Sequence, residues 1–184
     1  MARIMHQLLT EGRNLMSNPN KNSMSNHPPD ASYEQLKTIL DRVQGFHRRF
    51  RKGLADSNSL EDSPGRKHVL NWLQETEERE IELLNRVQSE QNTELLDTWI
   101  QYVPDSDCIQ KLEDLELRPG MSLDEVHEST MRFYQSLSAF YTQLAQQVTA
   151  ESANEFLSQL VERYESILRT QAWMMRDSHT TDSR

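Results

Sequence analysis

Two glutamates, Glu77 and Glu80, are the residues of this chain whose type and spacing point most clearly to chemistry. They lie within residues 73–87, LQETEEREIELLNRV, a stretch dominated by strong helix formers. On that helix both carboxylates fall where an amphipathic helix is expected to be apolar. They could hold a divalent cation, accept hydrogen bonds from Tyr134, Tyr164 or an arginine, or face solvent on a rotated helix. The sequence leaves these three interpretations open.

A second group with ligand-type side chains lies at the start of another predicted helix. Asp124, His127 and Glu128 fall within one helical turn and could bind a cation. Acidic residues in a first turn also complement the helix dipole, and we favour this simpler interpretation. Cys108 is the single cysteine and has no histidine close to it in sequence, so nucleophilic catalysis has little support.

A basic run ends the first predicted helix. Its candidate anion or partner patch is Arg48, Arg49 and Arg51, which could bind a phosphate or an acidic partner. Cations at a helix C-terminus are also favourable without any ligand. The run continues on either side and across the following turn, with His47, Lys52, Arg66, Lys67 and His68.

Large apolar residues in the crossover and at the end of the fourth helix suggest an interface. Such residues are enriched in interface cores, so they favour a homodimer, although simple packing within the chain is the commoner explanation. They occur in the segment after the second helix and at the end of the fourth: Trp99, Ile100, Tyr102, Trp173, Met174 and Met175.

Composition bounds the class of protein. The 184 residues suit one domain, and 5 Gly with 6 Pro supply few turns for a β-rich fold. The formal net charge of −9 disfavours broad binding to nucleic acid or anionic membranes. One cysteine cannot form an internal disulfide, and no apolar run approaches the roughly 20 residues of a membrane span. We therefore predict a cytoplasmic helical protein that binds neither nucleic acid nor membrane.

Capping residues predict where the four long helices begin. SYEQ at Ser32 and SLDE at Ser122 fit the capping-box pattern, Ser63 precedes a first-turn Pro64, and Ser152 can cap the last helix. Apolar residues then recur every three or four positions. The four predicted stripes include Leu36, Ile39, Leu40, Val43, Phe46, Phe50 and Leu54; Val69, Leu70, Leu73, Leu84 and Val87; Val126, Phe133, Leu137, Phe140, Leu144 and Val148; and Phe156, Leu157, Leu160, Tyr164, Ile167 and Leu168.

The helices predict a domain organisation with a long connection at its centre. A crossover at about residues 91–121 carries two short helices of its own, which makes a connection of this length acceptable in a single domain. The predicted boundaries are residues 1–31 for a short helix and flexible linker, 32–177 for a four-helix bundle and 178–184 for a polar tail.

The two helix pairs resemble each other, as two hairpins of one repeat would. Residues 43–47 match 137–141, and residues 73–83 match 160–170. Two helical hairpins joined by one crossover form the arrangement of ferritin-like folds. The alternative is that any two amphipathic hairpins look alike.

The region from residue 33 to 175 resembles rubrerythrin-like members of the ferritin-like superfamily. The resemblance is carried by Phe140-Tyr141 followed by Leu144-Ala145, by ANEFL at residues 153–157 and above all by LQETEEREIELL. It implies an all-α ferritin-like four-helix bundle. It also implies a di-iron site with a glutamate on the first and third helices and Glu-x-x-His on the second and fourth.

This chain departs from that ligand pattern at most positions. Only the second helix supplies ligand-type residues, and there a glutamate replaces the histidine. We therefore predict that the di-iron centre is absent and that no cofactor is required. The alternative is iron or another divalent metal at Glu77 and Glu80. The implied positions fall on Leu40 with Asp41 adjacent, on Glu77 and Glu80, on Tyr134 with Gln135 adjacent, and on Tyr164 and Ile167.

These observations predict a non-catalytic scaffold or protein-interaction module that self-associates and binds an unidentified protein partner. The competing prediction is a metal-binding protein or metal-dependent oxidoreductase that uses a reduced ligand set around Glu77 and Glu80. A third is a regulatory module that binds an acidic or phosphorylated partner through Arg48, Arg49 and Arg51.

Overall fold

A computed structural model describes residues 32–90, 93–102 and 106–181. The predicted N-terminal helix and linker, residues 1–31, lie outside the described residues. Two short strands and six helices follow one another in the described chain: β1 Ser32–Gln35, α1 Leu36–Ser59, α2 Pro64–Ser89, α3 Thr93–Leu96, β2 Trp99–Tyr102, α4 Asp107–Glu113, α5 Leu123–Gln147 and α6 Glu151–Thr181.

The four long helices form two hairpins. α1 packs against α2, and α5 packs against α6. The connection between the hairpins carries α3 and α4, as predicted for the crossover at about 91–121, and also β2. No helix in the described ranges is long and apolar enough to cross a membrane. The result is a four-helix bundle with one long crossover.

A two-stranded antiparallel sheet, β1–β2, packs against α1 and α5 and was not predicted. The expected capping box at Ser32 is wrong, because Ser32–Gln35 forms β1 and α1 begins only at Leu36. β1 pairs with β2 from Ser32↔Tyr102 to Gln35↔Trp99, and the Leu36 N–H donates to the Thr98 carbonyl at 2.8 Å. The first of the two short helices predicted in the crossover is correspondingly short, because α3 ends at Leu96 and Trp99–Tyr102 forms β2.

The remaining helix starts are closer to expectation. Ser122 forms the predicted capping box, with its hydroxyl accepting from the Glu125 N–H and its own N–H donating to the Glu125 carboxylate. α2 begins at Pro64 as predicted, although the Ser63 side chain makes no capping hydrogen bond. α6 begins at Glu151, so Ser152 is not its cap, and it runs to Thr181, past the predicted bundle boundary at 177.

The predicted apolar stripes form one core. Those of α1 and α5 are buried almost completely, whereas Phe156, Ile167 and Leu168 of α6 are only partly buried. The crossover packs directly on α1 at Gly53, where an added Cβ would lie 2.7 Å from the Leu117 Cβ. The fully buried core residues include Leu36, Leu40, Val43, Leu54, Leu84, Ile100, Leu137, Leu144, Ala153 and Leu157.

Candidate functional site

Glu77 and Glu80 both face the interior of the bundle. Glu77 is 0% exposed and Glu80 is 2% exposed, on the same side of α2 as Leu73 and Leu84. This burial excludes a rotated helix with both carboxylates in solvent. A buried carboxylate must be paired or hydrogen-bonded, since transfer of an unpaired charge from water into the interior is costly.

Both carboxylate oxygens of Glu77 are bound by side-chain donors. The His47 Nδ1 lies 2.7 Å from Oε2, so this nitrogen carries the proton that it donates to the carboxylate. The Tyr134 hydroxyl donates a short hydrogen bond to Oε1. These contacts join α1, α2 and α5 through one residue.

The hydrogen-bonded chain continues from His47 to the fourth long helix. The His47 Nε2 lies 3.0 Å from the Tyr164 hydroxyl. The ring nitrogen and the phenol share this hydrogen bond across the interior of the bundle. Tyr164, His47, Glu77 and Tyr134 therefore form one continuous path that touches all four long helices.

Glu80 has a different partner, the guanidinium of Arg163. The Arg163 Nε lies 2.7 Å from Oε2 and the Nη2 lies 2.6 Å from Oε1, which is the bidentate geometry of a strong charge-assisted pair. The Arg163 side chain is 41% exposed, so the guanidinium reaches inward from the surface of α6. The hydrogen bonds to Glu80 raise the pKa of Arg163.

Three tyrosines pack around these groups. The Tyr134 and Tyr164 rings lie 5.8 Å apart, and those of Tyr141 and Tyr164 are stacked 5.6 Å apart with 4° between their planes. Burial raises the pKa of the Tyr134 hydroxyl well above its usual range, and the Glu77 carboxylate raises it further. Burial likewise raises the pKa of the Tyr141 and Tyr164 hydroxyls. All three phenols therefore stay protonated at neutral pH.

We call six of these residues the interior polar cluster: His47, Glu77, Glu80, Tyr134, Arg163 and Tyr164. Tyr141 lies beside the cluster, and its buried hydroxyl makes no hydrogen bond of good geometry within the described chain. The internal repeat relates His47 to Tyr141 and Glu77 to Tyr164. The first hairpin therefore carries an imidazole and a carboxylate at the positions where the second hairpin carries two phenols.

The other positions implied by the family resemblance differ in their burial and in their contacts. Leu40 is fully buried apolar core, and Asp41 is exposed and accepts a hydrogen bond from Gln88. Tyr134 lies within the cluster, whereas Gln135 is exposed. Ile167 is only partly buried and packs at the edge of the core.

His47 and Arg163 are the two cluster members that the sequence interpretation missed as site residues. His47 was grouped with the basic run, yet it lies four residues after Val43 and three before Phe50, on the buried stripe of α1. Arg163 lies three residues after the buried Leu160 and next to Tyr164. Stripe spacing was therefore the available signal for both residues.

The arginines of the basic patch already contact side chains of α1 and α2. Arg48 donates to the Gln44 side chain at 2.7 Å, and Arg51 pairs with Glu78 at 2.7 Å. The Arg49 guanidinium lies over the Phe46 ring, 4.9 Å from its centroid. The patch therefore stays a prediction, and an anion would have to compete with these partners.

The first-turn group of α5 shows the arrangement of a helix start. Asp124 and Glu128 are exposed, and Glu128 lies 3.9 Å from Arg132. Partial burial lowers the pKa of His127, while the charge of Asp124 opposes that shift. Within the described ranges, no three His, Cys, Asp or Glu side chains converge as a metal site would require.

Two of the predicted interface residues, Trp99 and Ile100, differ in burial, and the side chains of Tyr102, Trp173, Met174 and Met175 lie outside the described ones. Trp99 is 63% exposed on β2, whereas its neighbour Ile100 is fully buried and belongs to the core. In β1, Tyr33 is 62% exposed. Because Tyr33 lies opposite Gln101 and Gln35 opposite Trp99, both aromatics project from the same outer face of the sheet.

Comparison with known proteins identifies the fold. No family model and no curated protein matches this chain. A solved structure that does match is a Thermotoga maritima protein described as ferritin-like and diiron-carboxylate, with a TM-score of 0.54 and 15% sequence identity. The match covers 79% of this chain and 97% of that one. Similarity at this identity shows the fold alone, so the predicted all-α ferritin-like four-helix bundle is confirmed.

Proposed function

We propose that this protein is a non-catalytic ferritin-like scaffold in which the interior polar cluster occupies the place of a di-metal centre. The observation that supports this most directly is the pairing of both interior carboxylates. Each oxygen of Glu77 and Glu80 accepts a hydrogen bond from a protein side chain. A carboxylate satisfied in this way is a structural group of the core.

The side chains present do not fit a di-iron centre. Such a centre in this fold uses a glutamate from each of two helices and Glu-x-x-His from each of the others. Here those positions supply only two carboxylates, and the remainder are apolar or phenolic side chains. A cation at Glu80 would also meet the positive charge of Arg163, which already binds both oxygens.

Elemental analysis tests this proposal against the metal-dependent alternative. Protein purified without chelators, then incubated with iron, manganese or zinc and desalted, is expected to retain far less than one metal per chain. Glu77→Ala serves as the comparison, because it removes the carboxylate that a metal would need. Near-stoichiometric metal in the wild-type protein that is lost in Glu77→Ala would establish the metal-binding function.

The scaffold role includes self-association through the outer face of the β1–β2 sheet. The sheet has no third strand among the described residues. Unpaired strand edges are self-complementary across a two-fold axis. Tyr33 and Trp99 add exposed aromatic surface beside those edges, of the kind enriched in interface cores. A second copy of the chain would hydrogen-bond the unpaired backbone groups at the strand edges and cover the Tyr33 and Trp99 rings.

Light scattering coupled to size exclusion tests the self-association. The wild-type protein is expected to elute as a dimer, and Trp99→Gln is expected to shift it towards the monomer. Leu60→Gln is the matched control, because Leu60 is also exposed but lies at the opposite end of α1. A monomeric wild type, or an equal effect of the two substitutions, would contradict an interface at the sheet.

A further inference from the structure

A cavity of about 210 Å³ lies where the α1–α2 turn, the first turns of α2 and the start of α5 meet. The buried side chains of Leu70 and Val126 line it, together with the half-buried Met121 and Leu123. Leu60 also lines the cavity and is 68% exposed. Apolar cavities of about 150 Å³ bind benzene. The cavity therefore has the lining and the volume for a ligand the size of one aromatic ring.

Ser57 supplies a buried hydroxyl that has no hydrogen-bond partner. It lines the cavity from the last turn of α1 and is 8% exposed. Hydroxyls inside a helix commonly donate to the carbonyl four residues earlier, as Thr76 and Thr130 do. The Ser57 Oγ makes neither this bond nor any other within the described structure. A buried hydroxyl without a partner is unfavourable, so a ligand with one polar atom would satisfy it.

The charged side chains that line the cavity, Glu61 and Arg66, pair with each other. The Arg66 Nη1 lies 3.4 Å from the Glu61 Oε2. The Glu61 Oε1 accepts from the backbone N–H groups of Asp62 and Ser63, at 3.1 and 2.9 Å. An ionised ligand would have to break this pair or remain unpaired after it loses its hydration, and both are costly. The lining therefore favours a neutral ligand.

We propose that this cavity binds a small neutral molecule with an apolar body and one hydroxyl, a phenol or a short-chain alcohol, and that Ser57 hydrogen-bonds the ligand hydroxyl. Two hydroxyls can pair in either direction, because each is both a donor and an acceptor. The apolar body covers Leu70, Val126 and the exposed Leu60, which removes apolar surface from water. The cavity shares no residue with the interior polar cluster or with the β1–β2 sheet. The site therefore goes beyond the scaffold role and does not depend on it.

Phenol is the probe, and the signals of ¹³C-labelled methionine methyl groups measure its binding. Met121 lines the cavity, and its signal is assigned by comparison with the spectrum of Met121→Leu. For a ligand of this size, the Met121 signal of the wild-type protein should shift with a Kd of roughly 1 mM. Benzoate has the same ring but carries a negative charge, so it should bind several times more weakly.

Ser57→Ala tests the hydrogen bond. It should weaken phenol binding about fivefold, and it should leave the binding of toluene unchanged, because toluene has the ring but no hydroxyl. The substitution removes a hydroxyl without a partner and introduces a stronger helix former, so the variant should unfold at a temperature no lower than the wild type.

Ser136→Ala is the matched control, because Ser136 is a helix serine that is 6% exposed and does not line this cavity. It should leave the Kd of phenol unchanged. Three results would each overturn the proposal: no shift of the Met121 signal with phenol, binding of benzoate as tight as that of phenol, or an equal effect of Ser57→Ala on phenol and on toluene.

Discussion

At the scale of residues, Glu80 and Arg163 show how this bundle tolerates carboxylates in its interior. Glu80 is almost fully buried, and its charge is balanced by a guanidinium that enters from the surface. Removing one partner of a buried pair leaves an uncompensated charge, whereas replacing both partners by apolar groups is often neutral. We therefore expect the pair to add little net stability over two apolar side chains of similar size.

Arg163→Met tests this account. It is expected to lower the free energy of unfolding by about 2 kcal/mol, less than for a fully buried pair because Arg163 is partly exposed. Arg169→Met, which breaks only an exposed pair, should change it by no more than about 0.5 kcal/mol. In urea denaturation, the double variant Glu80→Leu/Arg163→Met should recover most of the loss. If it is as unstable as Arg163→Met alone, the unpaired charge is not the cause.

Tyr134 and Tyr141 form a second matched pair of residues. The Tyr134 hydroxyl donates to Glu77, and its loss leaves a buried carboxylate oxygen without a donor. Tyr134→Phe is therefore expected to cost about 1–3 kcal/mol of unfolding free energy. The Tyr141 hydroxyl has no well-aligned partner, so Tyr141→Phe should be neutral or slightly stabilising. Equal losses in the two variants would contradict the assignment of hydrogen bonds.

At the scale of elements, the four long helices could be predicted because the sequence signals that define each helix lie within or next to that helix. Stripe spacing, Pro64 and the Ser122 capping box each lie within one element. The β1–β2 sheet could not be predicted in the same way, because SYEQ at Ser32 fits a local capping pattern. Pairing with Trp99–Tyr102, more than sixty residues away, decides its conformation instead.

The crossover packs closely against α1 at Gly53, and this contact is testable. An added Cβ there would lie 2.7 Å from the Leu117 Cβ and 3.2 Å from its carbonyl oxygen. Gly53→Ala should therefore lower the free energy of unfolding, by about 1–3 kcal/mol for overpacking. Gly45→Ala, on the same helix with open space around it, should raise it by about 0.5–1 kcal/mol. Opposite signs in denaturant titrations are the expected result.

At the scale of the whole molecule, the interior polar cluster exists only because two hairpins meet. His47 and Tyr164 are 117 residues apart, and Glu80 and Arg163 are 83 apart. Stripe spacing could place each of them on a buried face, but the choice of partner depends on how the hairpins dock. This is why the sequence could place Glu77 and Glu80 at positions expected to be apolar, while it left their burial open and named only some of the residues that hydrogen-bond them.

The packing of the two hairpins also buries three tyrosine hydroxyls. Their titration makes the free energy of unfolding depend on pH in the alkaline range. Burial raises the pKa values of Tyr134, Tyr141 and Tyr164 in the folded chain, whereas in the unfolded chain they titrate near about 10. Above that pH the unfolded chain releases protons that the folded chain keeps, so stability is full below pH 10 and falls as the pH rises further.

Each buried tyrosine should contribute a loss of about 1.4 kcal/mol per pH unit above pH 10, and the three together about 4 kcal/mol per unit. Urea titrations between pH 8 and 11.5 measure this slope, and absorbance at 295 nm follows the phenolates. Tyr141→Phe removes one of the three groups, so its slope should be shallower than that of the wild type by the share of one tyrosine. The three phenolate signals should appear together with unfolding. Their gradual appearance in the folded protein, with no difference in slope between wild type and Tyr141→Phe, would show that the phenols are accessible to solvent.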